Sequence, residues 1–207
     1  MSETLDQLAA ARLVPVVVLD DAAHAGPLAA ALAEGGLPVA EVTFRTAAAA
    51  EAIARMAADG RVLVGAGTVL TPAQVDEAVD AGARYVVSPG FSRAVVDRCA
   101  ERGVLALPGA VTATEVQAAL EAGLSTVKFF PAETSGGAAA IKALSAPFAG
   151  VRFVPTGGIG PANLAEYLAL PAVVAVGGSW MVPRDAIAEG RFDDVAALVA
   201  DAVALTR

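Results

Sequence analysis

Two lysines occur in the 207 residues, and their surroundings differ. Lys142 sits in an Ala-rich stretch of helical character, where an ammonium group is expected to be solvated. Lys128 stands inside the run Thr126-Val127-Lys128-Phe129-Phe130, whose composition reads as a strand. Period-two alternation puts Thr126, Lys128 and Phe130 on one face and Val127 and Phe129 on the other. On either face the lysine has bulky apolar neighbours. A charged ammonium buried there alone is costly, so Lys128 is expected either to pair with a carboxylate or to be neutral. The first is a structural ion pair, and the second is a nucleophile that can form a Schiff base with a carbonyl carbon.

A carboxylate and a guanidinium come from an earlier run, Glu41-Val42-Thr43-Phe44-Arg45. The same alternation puts Glu41, Thr43 and Arg45 on one face. One reading is an internal salt bridge among Glu41, Arg45 and Lys128. The other gives Arg45 a substrate carboxylate to bind in two-point fashion and gives Glu41 a proton to transfer. Gly65-Ala66-Gly67-Thr68 adds a hydroxyl at the end of a third run. Two further runs end in Thr156-Gly157-Gly158 and Gly177-Gly178-Ser179, where backbone N–H groups and the hydroxyls of Thr156 and Ser179 suit a phosphate.

These residues fall at the ends of eight short apolar runs, at 13–19, 39–44, 62–68, 85–88, 104–108, 126–130, 151–156 and 173–177, each followed by an Ala-rich helical pattern. Thr71-Pro72, Ser92, Thr112 with Glu115, and Gly160-Pro161 read as helix starts; Gly35-Gly36, Gly82, Gly103 and Gly123 read as helix ends. Alternating strands and helices leave a doubly wound sheet or a closed barrel. The count of eight predicts a compact α/β (β/α)8 TIM barrel over residues 1–207 as a single domain, with a short helix at 3–11. In such a barrel the chemistry gathers at the C-terminal ends of the strands, where the polar residues just named lie.

Composition narrows the function classes. The formal charge is -8, 56% of residues are hydrophobic and 17% are charged. An acidic chain without a Lys/Arg run lacks the cation cluster that nucleic acid or an anionic membrane needs, so neither is expected as a partner. The lone Cys99 cannot close an internal disulfide and reads as a small core side chain, which points to a reducing cytoplasm. The acidic start of the chain is unlike a signal peptide. His24 reads as a surface or capping residue. No histidine pair or carboxylate cluster has metal-ligand spacing, so no metal and no cofactor are expected. Trp180, after Ser179, is expected to pack the helix of the phosphate loop.

Taken together, the motifs resemble those of the 2-keto-3-deoxy-6-phosphogluconate (KDPG) aldolases, some of which act on 4-hydroxy-2-oxoglutarate (KHG). The resemblance runs nearly end to end. It is carried by Val14-Pro15-Val16, Glu41-Val42-Thr43 with Arg45-Thr46, Gly65-Ala66-Gly67-Thr68-Val69-Leu70, Ser88-Pro89-Gly90, Lys128-Phe129-Phe130-Pro131-Ala132-Glu133, Pro155-Thr156-Gly157-Gly158 and Gly177-Gly178-Ser179-Trp180. It implies a class I aldolase in which Lys128 forms the Schiff base and Glu41 is the acid/base. Arg45 and Thr68 would bind the pyruvyl carboxylate, and Pro89 and Phe130 would line the pocket. Thr156, Gly157, Gly158, Gly178 and Ser179 would hold the hydroxylated, phosphorylated end.

The resemblance further implies a homotrimer and small-molecule substrates, a 2-keto acid or a phosphorylated sugar acid. Phe44 replaces a usual Leu and Ala113 a common Pro, both beside matched positions, where they bear on substrate range. Two other readings stay open from the residues alone. A phosphosugar isomerase or epimerase on the same barrel needs no imine, and a phosphate-binding scaffold has Lys128 only ion-paired.

Overall fold

A computed structural model describes residues 3–207. Helix α1 (Glu3–Ala11) precedes eight strands: β1 (Leu13–Val17), β2 (Val39–Thr43), β3 (Leu63–Gly67), β4 (Tyr85–Val87), β5 (Leu105–Leu107), β6 (Thr126–Phe129), β7 (Arg152–Pro155) and β8 (Val176–Gly178). Between and after them run α2 (Ala25–Glu34), α3 (Ala49–Asp59), α4 (Pro72–Asp80), α5 (Arg93–Glu101), α6 (Ala113–Glu121), α7 (Gly137–Ser145), α8 (Leu164–Leu168), α9 (Arg184–Ala188) and α10 (Phe192–Ala204).

Most helix boundaries follow local chemistry. The Thr71 hydroxyl accepts the Gln74 N–H with Pro72 in the first turn, Ser92 caps α5, and Thr112 and Glu115 form a reciprocal capping box on α6. Gly36, Gly82, Gly103 and Gly123 take positive φ just beyond four helices, where a Cβ would be strained. Gly160-Pro161 does not start its helix as expected. The Asn163 side chain accepts the Gly160 N–H and donates to the Gly158 carbonyl, closing a turn first, so α8 begins only at Leu164.

All strands pair in parallel, in the order β5-β4-β3-β2-β1-β8, with β6 and β7 as a separate pair. The circle closes through narrow seams: Gly109 bridges to Lys128, and Phe153 and Thr156 bridge to Val173 and Gly177. The result is the (β/α)8 barrel expected from the eight runs. The last run is displaced. Val173 pairs only with Phe153 of β7, while the ladder with β1 starts at Leu13 opposite Val176, so β8 covers 176–178 rather than 173–177.

Two apolar clusters divide the core. The larger lies between barrel and helices. The smaller fills the barrel, with Val14, Val39, Tyr85, Leu107, Val154 and Val174, and Leu5 and Leu8 of α1 close its N-terminal mouth. Leu8 is fully buried, which stabilises the fold by about 2 kcal/mol. Cys99 is buried in the outer cluster, and burial pushes its thiol up to about 11, so it is unreactive near neutral pH. His24 makes no side-chain cap hydrogen bond. Its ring meets Phe192 edge-on at 5.8 Å, an aromatic contact in place of the capping role. Among the described residues no helix is long and apolar enough to cross a membrane.

Candidate active site

Glu41 and Lys128 lie on strands that are not neighbours, yet their side chains meet inside the barrel. Lys128 Nζ donates to Glu41 Oε1 at 3.1 Å, and both residues are buried. Of the two readings of Lys128, the structure shows the paired one. The pairing leaves the chemistry available, because the carboxylate beside the ammonium is also a group that can take its proton.

Missing side chains make room for this contact. A Cβ on Gly67 would lie 2.3 Å from Glu41 Oε1, so the carboxylate occupies the space that any other residue would fill. A Cβ on Gly65, opposite Glu41 in the ladder, would strike the Tyr85 ring at 2.4 Å. The Tyr85 hydroxyl donates to the Ala40 carbonyl at 2.7 Å. Burial, and then the Glu41 charge, push the Tyr85 phenol well above its ordinary range, which keeps it a neutral donor. On the β5 side, Gly109 admits the Pro89 carbonyl, which a Cβ there would meet at 2.0 Å. Pro89 thus packs against the residue that bridges to Lys128.

Above the pair, the Phe130 ring centre lies 5.3 Å from Lys128 Nζ, and the same ring lines a cavity of about 410 Å³ at the C-terminal ends of the strands. Its walls include Arg45, Phe130, Thr156, Gly157, Gly158, Gly178 and Ser179, so seven of the eleven residues picked from the sequence share one cavity. Lys128 and Glu41 are not part of its wall. Thr68 and Pro89 are half-buried and do not line this cavity. Thr68 follows Gly67 with a φ of 58°, a left-handed backbone that costs a Thr on the order of 1 kcal/mol. A larger cleft of about 680 Å³, lined by Gln7, Pro38, Arg61 and Arg84, lies at the opposite, N-terminal end of the strands.

Arg45 departs from the expected alternation. β2 ends at Thr43, and the Arg45 N–H donates back to the Thr43 carbonyl at 2.8 Å, which turns the chain and carries Arg45 out of the barrel. The three-way salt bridge therefore does not form. Among the described residues nothing bonds the Arg45 guanidinium, so it faces the cavity as a free cation. Thr43 stays inside and donates to the Val17 carbonyl at 3.0 Å.

The two glycine pairs serve different needs. Gly157 and Gly158 have φ of 102° and 77°, and a Cβ on Gly158 would also strike Glu133 at 2.7 Å. Gly177 and Gly178 are needed for closeness: a Cβ would meet Thr156 Oγ1 at 2.3 Å in one and the Trp180 ring at 1.8 Å in the other. Trp180 thus packs on its glycine turn, with Ser179 exposed at the cavity wall. Thr156 is buried, and its hydroxyl has no hydrogen-bond partner among the described residues.

Three features escaped the sequence reading. The Tyr167 hydroxyl bonds the Glu133 carboxylate, tying the segment after β6 to α8. Tyr85 is buried in the barrel beside Gly65, the residue opposite Glu41 in the ladder. Arg184 lines the cavity, and its only sequence signal was its place after Pro183, near the Gly-Gly-Ser turn. Lys142 is exposed on α7, as expected.

The arrangement couples a buried amine and a proton acceptor to an anion-suited cavity. Comparisons with known proteins agree with that chemistry. The family model for KDPG and KHG aldolases matches residues 5–198. A 2-dehydro-3-deoxy-phosphogluconate aldolase of Treponema pallidum is 54% identical over 96% of this chain and 95% of its own. A KHG/KDPG aldolase of Escherichia coli is 45% identical over 92% of this chain and 90% of its own. Among solved structures, a KDPG aldolase of Legionella pneumophila, with pyruvate captured at low pH as a covalent carbinolamine intermediate, superposes with a TM-score of 0.93. It is 39% identical, covering 97% of this chain and 98% of that one. With the motif residues gathered at one barrel mouth and relatives of this closeness, the chain belongs to the KDPG and KHG aldolase family.

Proposed function

We propose that this chain is a class I aldolase that reversibly cleaves KDPG to pyruvate and glyceraldehyde 3-phosphate, and KHG to pyruvate and glyoxylate. The observation that carries this reading is the buried Lys128–Glu41 contact beside the Phe130 ring, a residue that also lines the cavity between the glycine turns. Once Glu41 has taken its proton, the Lys128 amine attacks the C2 ketone and water leaves to give an iminium. Glu41 returns its proton as water leaves, and it then takes the C4 hydroxyl proton as the iminium draws the electrons of the C3–C4 bond, which releases the aldehyde and leaves an enamine. Protonation at C3, by Glu41 directly or through water, and hydrolysis of the imine return pyruvate and the free lysine.

Arg45 and Thr68 are assigned to the pyruvyl carboxylate, with Pro89 and Phe130 as apolar walls. Thr156, Gly157, Gly158, Gly178 and Ser179 are assigned to the distal end, where N–H groups and hydroxyls offer hydrogen bonds to a phosphate. The unpartnered Thr156 hydroxyl supports that assignment. An isomerase on the same barrel would convert a phosphosugar without releasing a keto acid. Pyruvate release from KDPG, followed with lactate dehydrogenase and NADH, is the test, and isomerisation without pyruvate overturns the reading.

The phosphate assignment makes a sharper prediction. Ser179→Asp places a like charge at the cavity wall and is expected to lower kcat/KM for KDPG by roughly 10²-fold or more. KHG is shorter and should lose much less. Equal losses in a folded variant would show that this turn does not hold phosphate, while leaving the pyruvate half of the reading intact.

The same reading carries a single-domain chain assembled as a homotrimer in the reducing cytoplasm. Leu70, 57% exposed two residues after Thr68, gives such an interface an apolar side chain to cover. Sedimentation at the mass of three chains is expected, and the mass of one overturns the trimer.

A further inference from the structure

The cavity between the glycine turns has two cations in its walls, Arg45 and Arg184. Arg184 is held at the rim by Asp20 in a two-point ion pair, Nε to Oδ2 at 2.7 Å and Nη2 to Oδ1 at 2.6 Å. The two side chains are 60% and 49% exposed, so water screens the pair and it binds weakly. It uses two of the fork's five N–H donors and leaves three, and Nη1 has no partner among the described residues. Asp20 itself is not part of the cavity wall.

A phosphorylated sugar acid carries a carboxylate at one end and a phosphate at the other. Backbone N–H groups and the hydroxyls of Thr156 and Ser179 supply hydrogen bonds but no net positive charge. The chain as a whole carries a formal charge of -8, which disfavours a dianion. With Arg45 engaged by the carboxylate, the phosphate needs a second cation, and among the cavity's lining residues that cation is Arg184.

We propose that Arg184, held at the rim by Asp20, is the charge partner of the phosphate and sets the preference of this chain for phosphorylated over unphosphorylated substrates. This rests on the aldolase reading above and adds a specificity residue to it. Arginine suits the task because its planar fork matches phosphate oxygens in two-point contact, and because it stays charged at every working pH.

The test compares kcat/KM for KDPG and KHG in the parent, Arg184→Gln and Arg184→Lys, with inorganic phosphate as a competitive inhibitor against KDPG. Arg184→Gln is expected to lower the KDPG/KHG ratio roughly 10- to 100-fold, chiefly through KM for KDPG. It should also weaken inhibition by inorganic phosphate by a similar factor. Arg184→Lys keeps the charge and loses the fork, so it should fall between parent and Gln, and it carries the test should the Gln variant not fold. A ratio and a phosphate inhibition constant within about twofold of the parent in a folded variant overturn the proposal. A parent enzyme that releases no pyruvate from KDPG would instead overturn the aldolase reading, so the two failures are distinguishable.

Discussion

Replacing Lys128 with Met is expected to lower kcat for KDPG and KHG cleavage by roughly 10⁴-fold or more, because no other group in the barrel can form the imine. Met keeps much of the length and apolar character of the side chain. The variant leaves Glu41 without its cation, a loss of about 3–5 kcal/mol that the rest of the barrel core is expected to absorb without unfolding. A far-ultraviolet circular dichroism spectrum like the parent's is therefore expected. In the parent, borohydride added with pyruvate should reduce the imine and fix pyruvate on the peptide that carries Lys128. Lys142, the other lysine, lies exposed on α7 and should stay unlabelled. Label at Lys142, or none anywhere in an active enzyme, would sink the imine mechanism and favour the isomerase.

The next largest effect is expected at Glu41. Glu41→Gln can still hydrogen-bond but cannot carry a proton, so deuterium exchange into the pyruvate methyl group, read by NMR, should slow roughly 10²- to 10⁴-fold. Imine trapping should fall far less. The bond to C2 is made by the lysine amine, which the substitution leaves in place. Gly67→Ala offers an independent approach to the same group. A methyl at that position would sit 2.3 Å from Glu41 Oε1 and must displace the carboxylate without altering its chemistry. It should reproduce the exchange defect in part while leaving trapping largely intact. Equal loss of exchange and trapping in both variants would identify Glu41 as a structural partner of Lys128 rather than as the proton carrier.

What the sequence determined by itself was mostly local. Eight β-branched runs followed by helical patterns predicted the barrel, and Thr71, Ser92 and Thr112 marked helix starts because a cap bonds N–H groups only two or three residues away. The closing glycines were equally legible, since a positive φ is a property of one residue and its neighbours. The oddity of Lys128 was also visible, as a cation in an apolar strand must have either a partner or a use.

The tertiary structure alone decided which. Glu41 and Lys128 are 87 residues apart on strands that do not pair, and their 3.1 Å contact exists because the sheet closes and Gly67 leaves the carboxylate room. Alternation gives a side chain's direction only while the strand lasts, so it could not show that Arg45 leaves the barrel after the turn at Thr43. Nor could it register β8, whose pairing is set by β1 and β7 on either side. Arg184 and Asp20 are 164 residues apart and meet only because the last βα unit returns beside the first. Side-chain type and local spacing set what each residue can do, whereas closure of the barrel sets which residues can do it together, because distances across the barrel depend on the register of every strand between them.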